Sequence, residues 1–220
     1  MTILYSFRRC PYAIRARYTL ALLEERVELR EVVLKNKPAA LLSLGGRSTV
    51  PQLIDHGDRY EESKDIIFWA IDKATQLGGH RSSLATQLWP NNPVLREHIE
   101  RWIEENDNEF KAWLDKYKYA DRFPENPEVF YRRKGEHFLS KLETQLSQSS
   151  FILGKEMTLA DVAIFPFIRQ FAGVNTVWFE SCGYPHLKLW LARFLESSLF
   201  LVVMKKYPQW VEGQEEIFFP

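Results

Sequence analysis

Thr2-Ile3-Leu4-Tyr5-Ser6-Phe7-Arg8-Arg9-Cys10-Pro11-Tyr12-Ala13 runs from a short apolar segment that reads as a strand, Thr2 to Phe7, into one that reads as a helix. Ile14, Tyr18, Ala21 and Leu22 recur at helical spacing, so the spacing predicts a helix from Pro11 to about Glu25, with Pro11 at the first helical position. Cys10 therefore stands where a strand turns into a helix. The unpaired amides of a first turn and the positive end of the helix dipole favour thiolate over thiol, and Arg8 and Arg9 add positive charge. This context makes Cys10 a candidate nucleophile, with a packed structural cysteine as the plain alternative. Position 13 is Ala where a dithiol oxidoreductase has its second cysteine, so any thiol chemistry is of the single-cysteine kind. Such a thiol forms a mixed disulfide and needs an external thiol to resolve it. Cys182, before Gly183-Tyr184-Pro185, reads as a small packed residue.

Outward from this junction the chain keeps alternating. Glu28 to Leu34 reads as a strand, Pro38 to Leu44 as a short helix and Val50 to Ile54 as a strand. A turn over 55–58 leads to Arg59 to Glu61, and a helix runs from Ser63 to about Gln76. The order is βαβ followed by ββα. Residues 77–93, with Gly78-Gly79, Ser82-Ser83, Pro90 and Pro93, read as a linker. From Val94 only helical periodicity is found: Ile99, Trp102, Ile103, Phe110, Trp113, Leu114 and Tyr117 mark one face. The expectation is an α+β domain over 1–76, a linker over 77–93 and an all-helical domain over 94–220.

One helix start in the second region is strongly specified. In Met157-Thr158-Leu159-Ala160-Asp161-Val162, Thr158 can cap the helix, Asp161 can answer it, and Met157 can staple onto Val162. This is a folding signal, each partner worth on the order of 1 kcal/mol. The apolar run that follows implies a buried helix from Leu159 to about Phe171, with Pro166 to be accommodated within it.

With 29 basic and 29 acidic side chains the chain is formally neutral, which argues against a nucleic acid or an anionic membrane as the main partner. Two cysteines imply a reducing compartment. There is no run of about 18 apolar residues and no leader-like N-terminus, so the expectation is a cytoplasmic protein. The five histidines lack ligand spacing, so no metal is expected, and no phosphate-binding loop is present.

Two further stretches attract attention. Ser48-Thr49-Val50-Pro51-Gln52-Leu53-Ile54 puts a proline at the start of a strand. Taken alone it is an ordinary trans proline; a cis bond would instead leave the Val50 backbone facing outward, able to pair with an extended peptide. In Tyr60-Glu61-Glu62-Ser63-Lys64-Asp65, Ser63 suits a helix cap. The same helix start can hold a carboxylate, with Glu62 meeting an ammonium group, as an amino-acid head group requires.

Cys10-Pro11-Tyr12-Ala13, Thr49-Val50-Pro51, Glu62-Ser63, a linker, and Thr158-Leu159-Ala160-Asp161, in that order over the whole chain, resemble the cytosolic glutathione transferase superfamily. The similarity is greatest to its cysteine-type members, the omega class and two-domain glutaredoxins. The resemblance implies a thioredoxin-like N-terminal domain, an all-α helical-bundle C-terminal domain, and glutathione as co-substrate. It implies that Cys10 contacts the glutathione sulfur, that Val50 pairs with the cysteinyl backbone beside a cis Pro51, and that Glu62 and Ser63 hold the γ-glutamyl group. It also allows a homodimer. Tyrosine- and serine-type members use a hydroxyl near the end of the first strand, and Tyr5 and Ser6 lie there, but the Cys-Pro pair argues for the cysteine type. The loop Leu44-Gly45-Gly46-Arg47-Ser48 departs from the usual pattern, and Arg47 takes the place of a lysine toward the glycyl carboxylate. Tyr12, Phe110, Trp113 and Tyr117 are candidates to line a second-substrate cleft, although core packing is the commoner use of such residues. The leading expectation is a glutathione-dependent thiol transferase or reductase. Glutathione conjugation and a non-catalytic partner-binding module of the same fold are the alternatives.

Overall fold

The computed structural model describes all 220 residues, Met1–Pro220. The chain forms two compact units, Met1–Thr86 with Ser197–Pro220, and Gln87–Glu196. No helix is long and apolar enough to cross a membrane.

The first unit is built on β1 (Ile3–Ser6), α1 (Pro11–Leu22), β2 (Val27–Glu31), α2 (Ala39–Leu42), β3 (Gln52–Asp55), β4 (Asp58–Tyr60) and α3 (Ser63–Leu77). Its strands form one mixed sheet in which β1 and β2 are parallel and β1–β3 and β3–β4 antiparallel. Leu4 on β1 is fully buried, while Ile3 and Tyr5, which alternate with it, join Val32, Leu41 and Val50 in a second apolar cluster. The sheet is thus covered on both faces, and its crossover returns the chain in parallel through α1, the thioredoxin-like arrangement expected. β2 is shorter than the pattern predicts: Val33 and Leu34 lie exposed beyond its end, where Val33 pairs with Asn36.

Asp55 ties this unit together. It accepts from Thr2 Oγ1 at 2.6 Å and Trp69 Nε1 at 3.1 Å, and lies 3.3 Å from Lys73 Nζ, joining β3 to the chain start and to α3. Burial pushes this carboxyl up, but the donors from Thr2, Trp69 and Lys73 outweigh it and hold it at about 2, below the ordinary 3.8. A depressed folded-state value stabilises the fold above the ordinary range, and that contribution is lost as pH falls from 3.8 toward about 2. Asp55→Asn should therefore unfold with a visibly shallower dependence on pH across that window in urea titrations. An unchanged acid limb would assign the sensitivity to other carboxylates.

Two expectations are corrected in this region. Residues 77–93 are not an open linker, because α4 (Gly79–Leu88) occupies most of them. Ala85 and Leu88 are buried, and Arg81 Nη1 bonds Glu25 Oε1 at 3.2 Å, so packing makes a helix of a stretch whose glycines and serines read as coil. The region beyond 94 is also not wholly helical. After α11 (Ser198–Val203), β5 (Phe218–Phe219) pairs antiparallel with β2, Val27 opposite Phe219, and completes the order β4-β3-β1-β2-β5. A two-residue strand, Phe218–Phe219, has no period to read. It forms because β2 offers an unpaired edge and Phe219 buries completely.

The second unit holds α5 (Pro93–Glu105), α6 (Lys111–Lys118), α7 (Glu128–Leu146), α8 (Leu159–Ala172), α9 (Thr176–Ser181) and α10 (Pro185–Leu195). α8 is its axis: Leu159 to Ile168 and Phe171 are all buried, and the helix continues through Pro166. A Cβ on Gly135 of α7 would stand 2.5 Å from Phe171 Cε2, so only glycine lets α7 lie this close to α8. A π-helical turn, Asn106–Phe110, separates α5 from α6 and drives Phe110 inward to stack on Phe138, ring centroids 4.8 Å apart.

Candidate functional site

Cys10 is the residue before α1, extended at φ −73° and ψ 124°, with Pro11 in the first helical position. Its N–H closes a turn on the Phe7 carbonyl at 3.0 Å, and its thiol donates to the Val50 carbonyl at 3.7 Å. Residues forty positions apart in sequence thus meet. The Val50–Pro51 bond is cis. The sequence by itself favoured trans, and the resemblance implied cis.

The arginines beside Cys10 have other work. Arg8 Nη1 reaches the Met204 carbonyl at 3.4 Å, and the Arg9 guanidinium stacks 5.6 Å from the centre of the Phe7 ring. The competing hydroxyls are buried. Tyr5 Oη accepts from Arg30 Nη1 at 2.7 Å, and Ser6 is fully buried, whereas Cys10 is half-buried.

The loop leading to Val50 is held by residues that sequence reasoning missed. Gln52 is fully buried and donates through Nε2 to the carbonyls of Arg47 at 2.5 Å and Thr49 at 2.8 Å. Arg59 donates to Gln52 Oε1, to the Leu44 carbonyl at 2.8 Å and to the Arg47 carbonyl at 2.9 Å, and pairs with Glu61. Gly46 sits at φ 58°, and a Cβ there would lie 3.3 Å from Glu61 Oε1. The loop over 44–48 is thus held by a set of hydrogen bonds from Gln52 and Arg59. Nothing in a run of one glutamine and one arginine announces such a role.

At the other helix start, Glu62 and not Ser63 is the cap: Glu62 and Asp65 form a reciprocal capping box, with Glu62 N–H to Asp65 Oδ2 at 3.3 Å. Ser63 is displaced by one position into the first turn and is buried, because its Oγ accepts from Arg15 Nε of α1 at 2.9 Å. Arg15 also lies 4.9 Å from the centre of the Tyr12 ring, so one buried guanidinium joins the Cys10 helix to the α3 start. Arg47 forms a salt bridge with Glu62, both side chains more than half exposed. That places Arg47 toward Glu62, while Lys37 Nζ is the cation on Ser48, at 3.0 Å from its Oγ.

The cleft residues of the second unit divide. Phe110 and Tyr117 are 1% exposed and pack against Phe171, so they have no surface with which to line a cleft, which corrects the expectation for both. Trp113 is half-buried, with Lys116 Nζ 5.1 Å from its ring centre.

Comparison with known proteins agrees with this architecture. Residues 4–76 match the model of the glutathione S-transferase N-terminal domain, and residues 96–193 that of the C-terminal domain. The chain belongs to the glutathione transferase superfamily. It is 28% identical over 197 residues to glutathione S-transferase L1 of Arabidopsis thaliana, covering 86% of this chain and 76% of that one. To glutathione S-transferase omega-1 of Rattus norvegicus it is 24% identical over 199 residues, 89% of this chain and 77% of that one. Among solved structures, a glutathione transferase family member from Pseudomonas fluorescens, crystallised with two glutathione bound, has the same fold: TM-score 0.75 at 20% identity, over 92% of each chain. Within this superfamily's N-terminal domain, the present chain sets a half-buried cysteine at the head of α1 and withdraws the hydroxyls of Tyr5 and Ser6 into packing.

Proposed function

We propose that the protein is a glutathione-dependent thiol transferase in which Cys10 is the nucleophile. The Cys10 thiolate attacks the glutathione sulfur of a mixed disulfide between glutathione and a second thiol. A Cys10–glutathione disulfide forms, and the second thiol leaves as a thiolate that takes up a proton. A second glutathione thiolate then attacks the glutathione sulfur, giving glutathione disulfide and restoring Cys10. Electrons balance without any further reductant. The observation that carries the reading is Cys10 at the start of α1, against the Val50 carbonyl, with no second cysteine one turn on.

The charged groups suit the peptide. Glu62 offers an exposed carboxylate to the γ-glutamyl ammonium, and the amides of the α3 start with Ser63 suit its carboxylate. Ser63 Oγ spends a lone pair on Arg15, which leaves its proton free to donate. Val50, ahead of Pro51, offers backbone to the cysteinyl residue.

Glu62→Gln should raise KM for glutathione by roughly ten- to a hundredfold, since a charge-assisted hydrogen bond is worth about 1.5 to 3 kcal/mol. KM for 2-mercaptoethanol, which has no head group, should stay put. Equal losses for both thiols would remove the head-group assignment.

A non-catalytic module of the same fold remains the second reading, favoured by the Arg47–Glu62 pair, which already neutralises the carboxylate offered to the ligand. Retention on immobilised glutathione and a rise in melting temperature with millimolar glutathione are expected of the enzyme. A chain that shows neither is the module.

A further inference from the structure

Glu31 ends β2 beside Ser6 of β1 in the parallel register. Its Oε1 accepts the backbone N–H of Arg8 at 2.7 Å, and its Oε2 lies 3.6 Å from Arg17 Nη1. Its own carbonyl accepts from the Trp210 N–H at 2.9 Å. Arg17, on α1, is fully buried against the rings of Phe219 at 4.9 Å and Tyr207 at 5.7 Å. None of its guanidinium nitrogens has a hydrogen-bond partner, and neither does Glu31 Oε2.

As a stabilising device this pair is poor. Two charges have been taken out of water, their separation is long, and their remaining hydrogen-bonding capacity is unmet, so desolvation offsets most of the attraction. An apolar pair of the same volume would hold the fold as well. What an apolar pair cannot supply is a fixed acceptor for the Arg8 amide. That amide lies two residues from Cys10, in the turn that the Cys10 N–H closes on Phe7. The side chain of Arg8 is anchored separately, on the Met204 carbonyl.

We propose that Glu31 is a positioning residue for Cys10: held by buried Arg17, its carboxylate fixes the Arg8 amide and with it the turn that sets the thiol at the start of α1. The inference rests on the reading of Cys10 as the nucleophile. The C-terminal segment takes part, because Met204, Tyr207, Trp210 and Phe219 cover the groups that do the holding.

The test compares Glu31→Ala with Glu31→Gln in a Cys182→Ser background. Two quantities are read per folded molecule: the rate of Cys10 alkylation by iodoacetamide at neutral pH, and kcat and KM for glutathione in mixed-disulfide reduction. Glu31→Ala should slow alkylation several-fold and cut kcat by about tenfold, as expected of a displaced reacting group, with KM within about twofold. Glu31→Gln keeps an acceptor for the Arg8 amide and should restore both rates, although its melting temperature falls because Arg17 loses its counter-charge. If Glu31→Ala does not fold, Glu31→Leu with Arg17→Met removes the acceptor without burying a lone charge, and the same losses are expected of it. Unchanged rates in the acceptor-less variants, or Glu31→Gln falling as far as Glu31→Ala, would overturn the proposal. Alkylation needs no glutathione turnover, so it decides the role of Glu31 even if the transferase reading fails.

Discussion

Cys10→Ser is expected to lower the rate of reduction of a small glutathionyl mixed disulfide by on the order of a thousandfold or more, the scale on which enzymes lose activity with their covalent nucleophile. A serine hydroxyl at the head of α1 cannot form the disulfide intermediate. The loss should appear in kcat, because the head-group contacts proposed for Glu62 and Ser63 lie at the start of α3 and are untouched. The melting temperature should barely change, since Cys10 is a half-buried, non-helical residue whose thiol bond to Val50 is long at 3.7 Å. Cys182→Ser should leave activity in place. Its thiol bonds the Phe179 carbonyl at 2.9 Å, and burial pushes it up, so it is less of a thiolate than an ordinary cysteine. Substantial turnover by the Cys10 variant would remove the mechanism. Tyr5 and Ser6 would be poor replacements, as both residues are buried.

Asp161→Ala is expected to cost far more than the loss of a simple helix cap. The carboxylate is fully buried and accepts from Ile152 N–H, Thr158 N–H and Trp190 Nε1 at 2.9 Å each, and from Thr158 Oγ1 at 3.2 Å. Alanine would orphan donors from the preceding loop, the helix cap and α10 together, and each buried donor left unmet costs about 1 to 3 kcal/mol. A total on the order of 3 to 5 kcal/mol follows, enough to unfold a marginal domain. Thr158→Ala should cost only about 1 kcal/mol, and the two losses should not add, because they share one network. Urea unfolding of the single and double variants measures this. A loss near 1 kcal/mol for Asp161→Ala would return it to the status of a simple cap.

The two variants show where sequence reading succeeded and where it stopped. The capping box at Thr158 and Asp161 was legible because capping is local: two residue types three positions apart define it. The further reach of Asp161 to Ile152 and Trp190 was not, since neither partner stands at a helical or strand spacing from it. The shift of the α3 cap from Ser63 to Glu62 has the same cause. Both residue types can cap, and only the arrival of Arg15 from α1 decides which one is drawn inside.

Sequence by itself determined the alternation of strands and helices over the first 76 residues, the helical character of residues 94–196, and the cysteine at the head of α1. Periodicity and junction residues report local geometry directly. Tertiary structure alone decided that residues 79–88 are helical and that the last two paired residues complete the sheet. It also decided that Phe110 and Tyr117 are core, that Gln52 and Arg59 hold the loop to Val50, and that Glu31 faces Arg17 and takes the Arg8 amide. Each of these depends on which distant surface a side chain meets. Burial and an available partner, rather than residue type or spacing, set the outcome.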